Sequence, residues 1–421
     1  MKTTSPEGDH NGERPPLIGQ VSEAAAGRRR GKPLEVFSAF LKLGLTSFGG
    51  PIAHLGYFRE ELVVRQRWLD DRAYADLVAL CQFLPGPTSS QVGFALGMLR
   101  AGWLGALAAF AAFTLPSALL LLAFALTATA ISGPLAEGAL QGLKIVAVAI
   151  VAQAVWGMAR NLCPDRERAT IAVVAVLLLA FLPGAPGMLA AIAVGALLGL
   201  LLGRGKAATG SDHGAIPVAR GAAWGALLTF FGLLALFPLL AGMSQTLAIL
   251  DSFYRAGALV FGGGHVVLPL LHAEVVESGW VTSDAFLAGY GAAQAMPGPL
   301  FSFAAYLGAL LEPGPNSVAG AILALLAIFL PGFLLILGIL PFWERFRSLA
   351  AAQSLMQGAN AAVVGILGAA LYSPIFITAV ADLRDLALAL GCFVALNAWH
   401  VPPWMVVIGA AIGGMGLAQI G

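Results

Sequence analysis

Two prolines flanking a glycine cannot continue an α-helix, and this chain places that triplet inside an apolar stretch twice. Residues 81–90 read Cys81-Gln82-Phe83-Leu84-Pro85-Gly86-Pro87-Thr88-Ser89-Ser90, and residues 293–302 read Ala293-Gln294-Ala295-Met296-Pro297-Gly298-Pro299-Leu300-Phe301-Ser302. Proline removes a backbone donor and pushes the preceding residue off helical geometry, so each triplet is a helix break. Hydrophobic residues make up 59% of the chain, charged residues 11%, and the mean hydropathy is +0.85. That composition belongs to a membrane protein. In hydrocarbon, broken backbone survives only where protein buries it or a polar cavity receives it. A matched pair of interrupted helices, one in each half of a membrane chain, points to a transporter's midplane binding site.

The rest of the chain repeats around the breaks. Gly44-Leu45-Thr46-Ser47-Phe48-Gly49-Gly50 matches Gly257-Ala258-Leu259-Val260-Phe261-Gly262-Gly263, Glu61 falls opposite Glu274, and Trp68 opposite Trp280. Further on, Phe113-Thr114-Leu115-Pro116 matches Ile328-Phe329-Leu330-Pro331, all at an offset of about 213 residues. Loop charge then separates a parallel from an inverted duplication. The loop at 56–73 carries four arginines, whereas its counterpart at 270–284 has no Lys or Arg. Residues 131–137 hold no basic residue, and their counterpart holds Arg345 and Arg347. By the positive-inside rule the two copies face opposite sides.

The expectation is an all-α polytopic membrane protein of two inverted-topology repeats, 34–203 and 247–421. A linker at 204–246 contains the unpaired apolar run Gly221–Gly242 and turns the second copy over, giving a six-plus-one-plus-six set of apolar segments. Residues 1–33, with Arg28-Arg29-Arg30-Gly31-Lys32, read as a disordered cytoplasmic tail. With both flanks inside, segments 34–55 and 74–99 become re-entrant hairpins turning at Gly49-Gly50-Pro51 and at Pro85-Gly86-Pro87; the alternative is a pair of kinked but complete spans with the arginine loop outside. Six tryptophans near segment ends (68, 103, 156, 224, 280 and 399) suggest an interfacial belt.

Thr88-Ser89-Ser90 opens a helix just past a proline, where free amides, a positive dipole end and hydroxyls converge as an anion site, or Thr88 serves as a plain N-cap and the serines as packing residues. The second copy keeps only Ser302. Gln82 and Gln294 stand before the breaks, either as donors or as caps of broken carbonyls. The turns at Gly49-Gly50 and Gly263-Gly264 permit exposed amides or close helix packing. His54 and His265 follow those turns, as anion donors, proton carriers or satisfied core histidines. Lys144, inside an apolar run, is a candidate for the anion path. Glu61 and Glu274 read as partners of neighbouring basic groups or as helix caps near the interface rather than as anion ligands. No Gly-x-x-x-x-Gly-Lys-Ser/Thr loop, His-Glu-x-x-His, Cys-x-x-Cys or Gly-x-Ser-x-Gly occurs, and no basic face suits nucleic acid. The chain therefore reads as a secondary transporter without cofactor or metal, not an enzyme.

Phe48-Gly49-Gly50-Pro51 with His54 and Tyr57, Trp68-Leu69, Gln82-Phe83-Leu84-Pro85-Gly86-Pro87 and Ser89-Ser90-Gln91 resemble the N-terminal signature of the chromate ion transporter family. Phe261-Gly262-Gly263-Gly264-His265, Gly279-Trp280-Val281 and Gln294-Ala295-Met296-Pro297-Gly298-Pro299 resemble its C-terminal signature. The resemblance covers residues 34–421. It implies a two-domain exporter of chromate in the bacterial cytoplasmic membrane, with sulfate as the related oxyanion and chromate resistance as the outcome; a permease or channel for sulfate or another oxyanion on the same fold is the alternative. Its partners are then the oxyanion and the lipid bilayer; a homodimer is left open.

Overall fold

In the computed structural model, the described residues are 31–128, 133–203, 218–261, 263–343 and 349–420. The polar tail through residue 30, residues 204–217 of the linker, Gly262, and the loop holding Arg345 and Arg347 lie outside them. Every regular element among the described residues is helical. The first copy comprises α1 (Pro33–Thr46), α2 (Gly50–Phe58), α3 (Asp71–Phe83), α4 (Thr88–Ala128), α5 (Pro134–Leu162), α6 (Arg166–Phe181) and α7 (Gly184–Leu202). After α8 (Arg220–Leu240) come α9 (Gln245–Ala258), α10 (Val267–Leu271), α11 (Ser283–Ala293), α12 (Phe303–Leu310), α13 (Ser317–Ile339), α14 (Ala350–Ala370), α15 (Leu383–Asn397) and α16 (Pro403–Ile420). The order of the second set reproduces the first, down to a π-helical turn after α2 (Arg59–Arg65) and after α10 (His272–Val276). Caps recur too. Asp70 accepts from Ala73 N–H at the start of α3, and Thr282 accepts from Ala285 N–H at the start of α11.

Among the described residues six helices are long and apolar enough to cross a membrane: α4, α5, α7, α8, α13 and α14 with its extension to Ala379. The apolar runs at 34–55 and 74–99 are instead divided at the expected places. The 14 residues of α1 and the 13 of α3 each reach roughly 20 Å, short of the ~30 Å hydrocarbon layer. Within the 41 residues of α4, Ala101 and Gly102 leave helical geometry, Gly102 at φ 66°, so a short leg from the first break is followed by a long one. Left-handed backbone there suits glycine.

Close packing is built from small residues used twice. Within each copy, Gly97 meets Gly105 where the legs of α4 cross, as Gly308 of α12 meets Gly320 of α13. Between copies, Gly142 of α5 lies against Ala410 of α16, and Gly358 of α14 lies against Gly195 and Gly199 of α7. Each copy thus sends its last helix onto the other. An aromatic seam, with Phe94 stacked on Phe333 at 4.4 Å, joins them further. The connecting α8 buries only Ala223, Ala226 and Phe230 and turns Leu228, Phe231 and Leu239 outward, as a lipid-facing helix does.

The six tryptophans differ in exposure, Trp280 being half-buried. Trp103, Trp156, Trp224 and Trp399 are exposed. Trp68 is buried, 6.3 Å from the Phe40 ring with the Arg100 guanidinium 5.7 Å above its own ring. Its place is the core beneath α1, where an indole fills more volume than any other side chain.

Candidate functional site

Breaking a helix strands amides that have lost their partner four residues back, and here the other copy supplies the acceptors. Gly86 N–H donates to the Val260 carbonyl at 2.8 Å, and Gly298 N–H donates to the Ser47 carbonyl at 2.9 Å. Val260 and Ser47 are equivalent positions, as are Gly86 and Gly298, so the exchange is reciprocal. The two glycine-rich loops also meet: a Cβ on Gly264 would stand 3.2 Å from Cγ of Pro51, its own equivalent. Contact between equivalent residues marks the axis relating the copies. Gly86 and Gly298 have φ of 122° and 105°, held by Pro85, Pro87, Pro297 and Pro299 on either side. A Cβ on Gly86 would press on the Gln91 amide at 2.9 Å, and one on Gly298 on the Ser117 hydroxyl at 2.8 Å.

Around these loops lie buried hydroxyls, amides and imidazoles. At the first break Ser89 and Ser90 are both buried, and Ser89 Oγ is 3.4 Å from His54 Nδ1. Gln91 donates through Nε2 to the carbonyls of Pro85 and Gly332, both at 3.0 Å. Thr88 points back, its hydroxyl 3.4 Å from the Cys81 carbonyl at the end of α3. At the second break the Ser302 and Ser117 hydroxyls are 2.7 Å apart, and Ser117 donates to the Thr114 carbonyl. Among the described residues Ser47 Oγ, His54 Nε2, Ser90 Oγ, Gln91 Oε1, Thr114 Oγ1 and Gln294 Nε2 are buried without a protein partner. Each such group costs about 1–3 kcal/mol when left unsatisfied. These six lie around the two helix breaks, and others, among them Arg255 Nε, His272 Nε2 and Asn360 Oδ1, lie elsewhere.

Other expected residues divide. Gly49, Gly50, His265 and Gln294 line a cavity of about 20 Å³ together with Gly298 and Leu300, and His265 Nδ1 is 2.7 Å from the Tyr290 hydroxyl. Gly264 is buried at the axis, and Gly263, at φ 142°, leads into the turn that holds it. Gln82 is exposed. Lys144 pairs with Asp284 at 2.8 Å in another cavity of about 520 Å³, with Glu137, Trp280, Tyr306 and Glu312.

The glutamates are ion-paired at equivalent positions, Lys42–Glu61 at 2.7 Å and Arg255–Glu274 at 2.8 Å, each tying the helix before a glycine-rich loop to the π turn beyond it. The Lys42 ammonium, followed by the Gln66 amide, holds the Glu61 carboxyl below its ordinary pKa. Arg59 and Arg65 are likewise paired, with Asp71 and Glu60. Donors at the breaks are therefore neutral. Ser47, Gln91, Thr114 and Ser117 were not singled out from the sequence, although Ser117 directly follows the repeated proline at 116. Polar side chains next to a proline in an apolar run were the available signal.

The sequence profile described as chromate transporter matches this chain twice, over residues 34–200 and 247–415. A chromate transport protein of Pseudomonas aeruginosa is 30% identical over 343 residues, covering 80% of this chain and 79% of that protein. A probable chromate transport protein of Synechococcus elongatus is 28% identical, covering 89% and 93%. One from Cupriavidus metallidurans, described as a chromate transport protein, is 27% identical, covering 89% and 91%. No solved structure matches. With a profile spanning both copies and the helices of a multi-pass membrane protein in place, the chain belongs to the chromate transporter family.

Proposed function

We propose that this protein is a secondary transporter that carries chromate out of the cell across the cytoplasmic membrane, through a site formed where its two broken segments meet. The reciprocal bonds from Gly86 and Gly298 to the opposite copy are the observation that carries this reading. A tetrahedral dianion wants several converging N–H and O–H donors, yet a full positive charge would hold it too long. The Gly86 and Gly298 amides and the neutral side chains of Ser89, Ser90, Gln91, Ser117 and Ser302 fit that need. The cavity between the loops has room for about one water. Admission then requires the copies to part, which frees both glycine amides from their carbonyls and turns them toward the oxyanion. Rocking of one copy on the other is the motion inverted repeats perform.

Opposite charge on the 56–73 and 270–284 loops supports inversion, with the N-terminus cytoplasmic and repeat bounds near 34–203 and 247–421. The lengths of α1 and α3, about two-thirds of the hydrocarbon thickness, support re-entrant hairpins. Export is favoured by about 2.3 kcal/mol per charge per 100 mV in a cell negative inside, and by roughly twice that for a dianion. Sulfate shares the charge and shape of chromate and competes for the same donors. Chromate flux into everted vesicles, with and without a membrane potential and excess sulfate, tests the reading. Ser90→Ala and Ser117→Ala each remove one bond to a charged guest, worth about 1.5–3 kcal/mol, so flux at low chromate falls about tenfold or more. Unchanged flux in both variants contradicts the site.

A further inference from the structure

The ion pairs at the bases of the two glycine-rich loops are not alike. In the first copy Lys42 on α1 meets Glu61, one cation to one anion, and the position matching Asp251 is Ser38, exposed and bonded to the Glu35 carbonyl. In the second copy Arg255 on α9 meets two carboxylates through one Nη2, Asp251 at 2.9 Å and Glu274 at 2.8 Å. Both carboxylates are more than nine-tenths buried, and Ser252 adds a hydrogen bond to Glu274. Arg255 Nε is buried without a partner. Fully ionised, the group carries one uncompensated negative charge in the interior, where an unpaired carboxylate is expensive. One proton removes that charge.

Among the described residues no other cation on the packed elements offsets it, and α11, which packs on the π turn, adds only Asp284 and Tyr290. Neither α13 nor α10 carries a titratable residue, and α8 has only Arg220 at its start. On α9 the Tyr254 hydroxyl is committed to the Phe230 carbonyl. The π turn adds His272, whose ring lies edge-on to Phe286, and Glu277 follows it.

Position gives the charge a consequence. The Arg255 carbonyl accepts from Leu259 N–H at the end of α9, and the next residue, Val260, holds the Gly86 amide of the first break. Arg255 and Glu274 thus clasp the two ends of the loop on which the first break hangs.

We propose that Asp251, Arg255 and Glu274 form a proton-binding site that couples oxyanion movement to proton movement. The proposal rests on the transport reading above. With a proton aboard, the group is neutral and the loop stays clasped. Without it, two carboxylates compete for one guanidinium, water is drawn in and the loop shifts, releasing the Gly86 amide. The equivalent Lys42–Glu61 pair, balanced one to one, lacks this response.

The test uses purified full-length protein in liposomes with trapped pyranine, potassium and valinomycin clamping the potential, and an inward chromate gradient. Wild type is expected to change luminal pH in step with chromate entry. With Asp251→Asn the group is neutral without a proton and keeps the loop clasped, so chromate flux and the pH change both fall more than tenfold while the purified protein stays monodisperse, and Ser38→Ala alters neither. Asp251→Ser, which copies the first repeat, serves as the second variant if Asn impairs folding. Wild-type chromate entry without a pH change overturns the inference and leaves the transport reading standing, as does a full pH change in either Asp251 variant. Absence of wild-type chromate flux contradicts transport itself.

Discussion

At the scale of single residues, the two glycines at the centres of the breaks do most of the positioning. Gly298 has φ 105°, donates to Ser47 and leaves no space for a Cβ beside Ser117. Alanine there meets both an unfavourable backbone region, costing about 1–2 kcal/mol, and a close contact. Gly298→Ala is predicted to lower the thermal unfolding midpoint of the purified protein by a few degrees and to reduce chromate flux more than tenfold. A variant with wild-type flux would mean the amide need not stay in this geometry. What the sequence shows and hides is clearest at this scale. The breaks, the glycine turns and the pairing of Glu61 and Glu274 were legible because each follows from local chemistry or from comparing one copy with the other. Lys144 was not: its partner Asp284 lies 140 residues away, and nothing in an apolar run names a distant carboxylate. Gln82 was legible in principle. Tyr74, Leu77, Leu80 and Cys81 form the buried stripe of α3, and helical spacing turns the next residue outward.

Among elements, the contacts that weld the copies are glycine against backbone. Gly142 sits on Ala410 and Gly358 on Gly195 and Gly199, with no room for a side chain at any of these crossings. Gly142→Leu and Gly358→Leu are each predicted to sharply reduce the yield of monodisperse protein, because α5 and α16, or α14 and α7, must separate. Gly157→Leu and Gly409→Leu, on open faces of α5 and α16, are predicted to leave it unchanged. Size-exclusion profiles of the four variants in detergent check this, and equal behaviour of all four would remove the crossings as the basis of assembly. The crossings escaped sequence reading for a physical reason. Glycine is frequent throughout these apolar helices, and only the folded packing distinguishes a crossing from a lipid-facing position. Trp68 was misplaced for a related reason, since an indole near a segment end suits a membrane interface as well as a core.

For the whole molecule, the account is one of two copies exchanging their last helices and lending each other the carbonyls that hold their breaks closed. Its central claim is that the glycine-rich loops, touching at Pro51 and Gly264, must part for an oxyanion to enter. Cysteines at these two positions, in a chain with Cys81, Cys163 and Cys392 replaced, are close enough for a disulfide once the side chains adjust. Chromate flux through that double variant in liposomes, oxidised and then reduced, is the most direct test. The account predicts that the oxidised, cross-linked protein loses more than nine-tenths of its flux and regains it on reduction. Full flux through a cross-linked protein would contradict it.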